Sequence, residues 1–308
     1  MKFTIEELEE LTQKDGGRFG VDSFESAFVF CRNLSQSHYE NFPVASFLIK
    51  KEWRKYIFSV YAFARIADDI ADEMIQIPGK KRINLLDNLD VLIQSEDFFK
   101  IKNPVIKALI ITIRDKKIPI DPFQKLLTAY KMDINFKQAE TFNDLMDYCK
   151  YSAEPIGELV LRITDNYNNQ NILLSDKICS ALQLINFWQD FSLDLMKNRV
   201  FIPKEFFSKY DFDVNDLYER KKTHNLKKCL NELYDRTEIL LTEGSELIKY
   251  LKNLRLKLEI KATVLGGATI LNKIRKLQAN ILDKRPNLSK TEFFLIFFKI
   301  FLNSSKWK

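Results

Sequence analysis

No apolar run in this sequence reaches the roughly eighteen residues that a membrane-crossing helix needs. Histidine is scarce, with only His38 and His224, which argues against a histidine-rich zinc centre. The four cysteines (Cys31, Cys149, Cys179 and Cys229) lie far apart, with no CxxC pair and no leader before them. Unbridged thiols and a reducing, cytoplasmic setting are the expectation. Only eight Gly and eight Pro occur, and no glycine loop of the dinucleotide-binding kind. Alternating strand patterns, fixed-period repeats and low-complexity linkers are missing as well.

What is present points to helices. Hydrophobic residues make up 46% of the chain, with 25 Phe among them, enough to bury a large core. Helical periodicity runs over about 22–36, 52–76, 80–95, 103–114, 121–135, 141–165, 174–195, 226–252, 255–277 and 290–302. Breaks fall at Pro78-Gly79, Asn103-Pro104, Pro119, Pro122, Pro203 and Arg285-Pro286. Residues 1–20, with Gly16, Gly17 and Gly20, read as a loose N-terminal arm, and 21–308 as one all-α domain.

The stretch Tyr61–Glu73, YAFARIADDIADE, closes the second of these segments. Asp68 and Asp72 are four apart, so both carboxylates leave one helix face, one turn above the other. Arg65 precedes Asp68 by a turn on nearly the same side, while Asp69 is out of phase and points elsewhere. Two acids so placed repel unless a cation lies between them. Mg²⁺ suits such a pair, because it shares its oxygen ligands between carboxylates and a substrate phosphate. A solvated acidic helix end is the plainer alternative.

A second stretch, LQLINFWQDFSLDLMKNRVFIP from Leu182 to Pro203, narrows that choice. Gln183, Asn186, Asp190 and Asp194 form one polar stripe among Leu184, Ile185, Phe187 and Trp188. Such a stripe, embedded in apolar surroundings, needs partners, because unpaired buried polar groups cost several kcal/mol. Lys197 and Arg199 follow at the helix end, where cations complement the macrodipole and can grip a phosphate. Two DxxxD faces could hold divalent ions around a diphosphate and stabilise it as it leaves. A Phe-rich, water-excluding cavity would then shelter the carbocation left behind.

Two further segments stay open on residues alone. HYENFPVAS, His38–Ser46, offers short polar groups before Pro43, or simply a capping turn. In YCKYSAEPIGEL, Tyr148–Leu159, Pro155 and Gly157 should kink a helix. That kink either lets a long apolar ligand approach the backbone or marks a plain helix junction.

Taken together, these motifs resemble the squalene/phytoene synthases, enzymes of the all-α isoprenoid (terpenoid) synthase fold with a central cavity. The resemblance runs by motif from about His38 to about Pro203. It is carried by Tyr61, Arg65, Asp68, Asp69 and Asp72, by Gln183, Asn186, Asp190, Asp194 and Arg199, and by Tyr148, Cys149 and Gly157. Within the family, the hydroxysqualene-forming branch of hopanoid pathways is most similar. The resemblance implies a Mg²⁺-dependent enzyme that binds presqualene diphosphate, ionises it, and lets water capture the rearranged cation. In this scheme Asp68, Asp72, Asp190 and Asp194 are metal ligands, with Gln183 and Asn186 beside them. Arg65 and Arg199 contact diphosphate, Tyr61 and Tyr148 line the cavity near the cation, and His38 with Asn41 covers the diphosphate end. Glu154 departs from the family, whose members usually carry a small or neutral residue there.

Sister reactions share these motifs: condensation of two farnesyl diphosphates to presqualene diphosphate, or onward to squalene or a phytoene-type product. Chain-elongating prenyltransferases and terpene cyclases share DDxxD but not the N-x₃-D-x₃-D pattern seen here. A non-catalytic family member typically lacks motif acids, and all four are intact. The chain carries a net charge of +6, and residues 251–308 hold 13 Lys/Arg against 3 Asp/Glu. Motifs for nucleic-acid binding are lacking, so this basic end suits an anionic membrane surface or solvation. Residues 293–302, FFLIFFKIFL, are too short to span a bilayer and read either as an enclosed core helix or as an interfacial anchor on the inner face of the membrane.

Overall fold

This computed structural model describes residues 3–37 and 48–301, and its only regular elements there are helices. Contacts within the chain gather into two compact units. One comprises residues up to 136 with 158–167, the other 137–157 with 168–308.

The first unit begins with α1 (Ile5–Glu10), whose start is fixed by a capping box between Thr4 and Glu7. Here the expected loose arm is ordered. Leu8 and Leu11 are buried, and Asn103 anchors the segment by donating to Leu11 O (2.7 Å) and Gln13 O (3.0 Å). The same Asn103 caps the helix that starts at Pro104 by accepting from Val105 N and Ile106 N, so one buried amide ties the N-terminal segment to a helix start. Few apolar residues and three glycines hid this segment from a reading based on periodicity.

The helices α2 (Phe24–Ser37), α3 (Lys51–Asp72), α4 (Gly79–Ile93), α5 (Pro104–Lys116) and α6 (Asp121–Ile134) complete this unit. Helix α3 is central and packs on α2, α5, α6 and α4. Its apolar positions Phe58, Ala62, Phe63, Ile66, Ala67 and Ile70 are buried, as the spacing requires. Phe63 meets Phe123 of α6 edge to face at 5.7 Å, and the Ser59 hydroxyl pairs with that of Thr112 on α5 at 2.7 Å. At the far end Arg82 of α4 donates to Ala71 O at 2.5 Å, satisfying a carbonyl of the last turn.

The second unit contains α7 (Phe142–Ser152), followed by α8 (Glu154–Ile163), whose first turn belongs here and whose remainder belongs to the first unit. It continues with α9 (Asn169–Gln189), α10 (Phe191–Met196), α11 (Lys204–Tyr210), α12 (Val214–Tyr218), α13 (His224–Gly244), α14 (Leu247–Tyr250), α15 (Leu254–Leu277) and α16 (Lys290–Lys299). Helix α9 is its axis, packed by α13, α15 and α7. Gly244 allows a close approach to the α9 backbone: a Cβ there would lie 2.8 Å from Ile178 N and 2.9 Å from Leu174 O. Buried Trp188 donates to Thr237 Oγ1 at 3.0 Å, pinning the C-terminal part of α9 to α13.

Helix α16 is not the enclosed core helix offered as one reading of 293–302. Ile296 is its buried residue, whereas Phe294, Leu295, Phe297 and Phe298 are exposed, as is Phe301 just beyond. Among the described residues no helix is long and apolar enough to cross a membrane.

Candidate active site

On α3, Tyr61, Arg65, Asp68 and Asp72 are half-buried and Asp69 is buried. Asp69, out of phase with the other acids, turns inward and accepts from Arg65 Nη2 at 2.6 Å. Arg65 Nη1 lies 3.9 Å from the Asp68 carboxylate. The arginine is thus divided between a buried acid and an open one, an arrangement that spacing alone did not disclose.

Asp68 is the perturbed group. The protein packed around its carboxyl, and then the neighbouring Asp72 carboxylate, raise its pKa from 3.8 to about 7, with Arg65 opposing. Asp133 of α6 adds to the same field, and Tyr130 of α6 has its pKa raised well above the usual phenol by burial and then by Asp68. Tyr130 and Asp133 were missed in the sequence, where an acid near the end of an amphipathic helix reads as solvated.

In the second unit Gln183 and Asn186 lie on α9, but the stripe does not continue on one unbroken helix. Asp190 ends α9 and begins α10 with φ −91° and ψ 8°. Asp190 N still reaches Asn186 O (2.8 Å) and Asp194 N reaches Asp190 O (2.9 Å), so the one-turn relation between the two acids survives. Nor is the stripe embedded: Asn186 is exposed and Gln183, Asp190 and Asp194 are half-buried, while Leu184, Ile185, Phe187 and Trp188 are buried. The polar residues form the open seam of a helix that is otherwise enclosed, and the expected burial cost does not arise.

Beyond α10 the chain turns sharply through Asn198 (φ 55°), and the Asp194 carbonyl accepts from both Lys197 N and Arg199 N at 2.9 Å. The main chain at Arg199 is thereby folded back onto that of Asp194. Asp190 itself is ion-paired with Arg285 Nε, whose Nη1 also donates to Asn287 Oδ1. Tyr148 of α7 is half-buried, its ring 5.9 Å from that of Phe187, which stacks on Phe201 at 3.8 Å. His38 and Asn41, with the rest of HYENFPVAS, lie outside the described residues.

The segment around Pro155 is a junction between α7 and α8 at Ala153 (φ −124°, ψ −48°). A Cβ at Gly157 would lie 2.3 Å from Ser175 Oγ and 2.7 Å from Cys179 Sγ. Its space is therefore used by α9 side chains and not kept for a ligand's approach. Glu154 accepts from Ser180 Oγ of α9 at 2.9 Å, so it helps fasten this junction.

The donors that could hold a metal are hard carboxylate oxygens, suited to Mg²⁺. Among the described residues, no group of three His, Cys, Asp or Glu side chains is placed to hold an ion by itself. Mg²⁺ is commonly bound by one or two carboxylates and completed by water and phosphate oxygens. Asp68 and Asp72 fit such an ion directly, since their mutual repulsion is what a divalent cation relieves.

A family model described as squalene/phytoene synthase matches residues 35–292. The hydroxysqualene synthase of Sinorhizobium fredii is 32% identical over 258 residues, 83% of this chain and 86% of that protein. That of Rhodopseudomonas palustris is also 32% identical, over 84% of this chain and 87% of its own. The crystal structure of squalene synthase HpnC from Alicyclobacillus acidocaldarius superposes with a TM-score of 0.77 at 34% identity, covering 83% of this chain and 95% of that one. With both carboxylate pairs inside the matched span and the helical architecture shared, this chain belongs to the squalene/phytoene synthase family of enzymes.

Proposed function

We propose that this chain converts presqualene diphosphate to hydroxysqualene and diphosphate, in a Mg²⁺-dependent reaction. Family membership supports head-to-head prenyl-diphosphate chemistry, and the relatives named hydroxysqualene synthase favour this step. The single observation that carries the metal-assisted reading is the α3 carboxylate pair, where crowding and a like charge raise Asp68 to about 7.

In this reading Asp68, Asp72, Asp190 and Asp194 are the metal ligands, with Gln183 and Asn186 beside the second pair. Bound there, Mg²⁺ supplies positive charge that stabilises the departing diphosphate. Arg65 and Arg199 add fixed positive charge for the same anion, as His38 and Asn41 add polar contacts. The carbon–oxygen bond to diphosphate breaks with its electron pair leaving on oxygen, and the cyclopropylcarbinyl cation rearranges. Tyr61 and Tyr148 present ring faces to that cation, the Tyr148 ring being steadied by Phe187 and Phe201. A water oxygen then forms the new carbon–oxygen bond and releases its proton to solvent. Substrate and product are poorly soluble in water, so a peripheral place on the membrane's inner face belongs to the same reading.

Product analysis by mass spectrometry tests it. Purified protein with Mg²⁺, given presqualene diphosphate in oxygen-18 water without NADPH, should yield hydroxysqualene labelled at the hydroxyl. Farnesyl diphosphate turned over to presqualene diphosphate, with presqualene diphosphate itself untouched, would move the chain to the sister step.

A further inference from the structure

Arg285 lies outside every motif considered above, yet its side chain grips a candidate metal ligand. Its Nε donates to Asp190 Oδ1 and its Nη1 to Asn287 Oδ1. Arginine and aspartate are about one-third exposed (33% and 34%), so both are reachable by a solute. The loop bearing the arginine is held firmly. Pro286 and Leu288 are buried, the buried Gln189 amide donates to Pro286 O at 2.7 Å, and Lys273 donates to Asn287 O at 2.6 Å. The guanidinium is therefore aimed at Asp190 by fixed backbone, and Nη2 makes no hydrogen bond among the described residues. A guanidinium is also the side chain best shaped to receive a phosphate.

We propose that Arg285 is a loading latch: it occupies Asp190 in the unloaded enzyme, competes there with the divalent cation, and passes to the diphosphate when cation and diphosphate arrive together. This rests on the reading of Asp190 as a metal ligand. The consequence is an order of binding. Cation alone must break the ion pair with nothing to receive the arginine. Cation with diphosphate frees Asp190 and gives the guanidinium a new acceptor, so the second acidic segment fills only when substrate oxygens accompany the metal.

The test uses Mn²⁺, followed by the paramagnetic resonance of the free ion. Full-length protein carrying Asp68→Asn and Asp72→Asn is the background, so that the signal comes from the second pair. There, Arg285→Gln should tighten binding of Mn²⁺ alone by about fivefold, the size expected from releasing a partly exposed ion pair. With both α3 acids restored and Mn²⁺ saturating, the same substitution should weaken inorganic pyrophosphate about tenfold or more, as loss of a charge-assisted hydrogen bond predicts. Circular dichroism confirms folding, and Arg285→Lys, with a weaker grip, should give an intermediate Mn²⁺ affinity. Unchanged Mn²⁺ affinity in Arg285→Gln, while Asp190→Asn abolishes binding, overturns the latch and leaves Asp190 a ligand. No effect of Asp190→Asn in that background removes the ligand reading itself. Tighter Mn²⁺ without weaker pyrophosphate overturns the transfer to diphosphate.

Discussion

Substituting Asp68→Asn should make the metal-free protein more stable at pH 8 and leave it unchanged near pH 4. In the folded chain burial and the Asp72 carboxylate lift Asp68 from 3.8 to about 7. The sign follows from proton counts. Below about pH 4 the group is protonated folded and unfolded, and its contribution to stability is fully present. As pH rises towards 7 the unfolded chain loses a proton that the folded chain keeps, so stability falls through that window. Solvent reaches the 45% of this side chain that is exposed and screens the penalty, leaving roughly 1–2 kcal/mol at pH 8. Urea melts across pH 4 to 8 should show that slope in the native protein and not in Asp68→Asn. Mg²⁺ must also displace any proton held there, so the number of protons released per cation should rise as pH falls below about 8. Calorimetry in two buffers of different ionisation enthalpy reads that number. Parallel melts at every pH, with no proton release at any pH between about 5 and 8, would refute the coupling of Asp68 to Asp72 and to metal.

Asp72→Asn or Asp190→Asn should lower turnover of presqualene diphosphate by about a hundredfold or more with unchanged circular dichroism, because the amide keeps the shape and loses the charge. Near-native turnover in either variant would remove that acid from the site. Gly244→Ala should cost about 1–3 kcal/mol in denaturant melts, since the added methyl meets the α9 backbone at Ile178 and Leu174, which cannot step aside like a side-chain end. Exposed Phe294, Leu295, Phe297, Phe298 and Phe301 on a basic segment should bind anionic vesicles, and more weakly as salt rises. Deleting 293–308 should weaken sedimentation with those vesicles while leaving the fold; a folded deletion variant that binds as before would exclude α16 as the anchor.

The helices were legible because Phe63, Ile66 and Ile70, like their counterparts on α9 and α13, repeat at the spacing that one buried face demands. Helix interruptions were harder. Pro155 announced a disturbance, but the break at Ala153 and the one at Asp190 depend on how the flanking segments are packed. Helix α1 was missed because much of its hold on the protein comes from distant residues, such as the Asn103 amide, which no local pattern reveals. The motif acids Asp68 and Asp72 were read from their spacing, and so was their shared face. Their partners were not: Tyr130 and Asp133 come from another helix, and Arg285 is 95 positions from Asp190. Asp69 shows the reverse case, where helical phase told that it leaves the acidic face but not that it takes Arg65 with it.

The turn after α10 makes one carbonyl oxygen a mechanical coupling. Because Asp194 O accepts from Lys197 N and Arg199 N across the left-handed Asn198, acid and guanidinium are mounted on one short lever. Phe191 and Leu195 are buried and fix that lever at one side, so any rocking of α10 carries a negative and a positive group through the same arc. A residue inserted between Asp194 and Arg199 would cut the lever without deleting either group, leaving an acid and a base that no longer move as a pair.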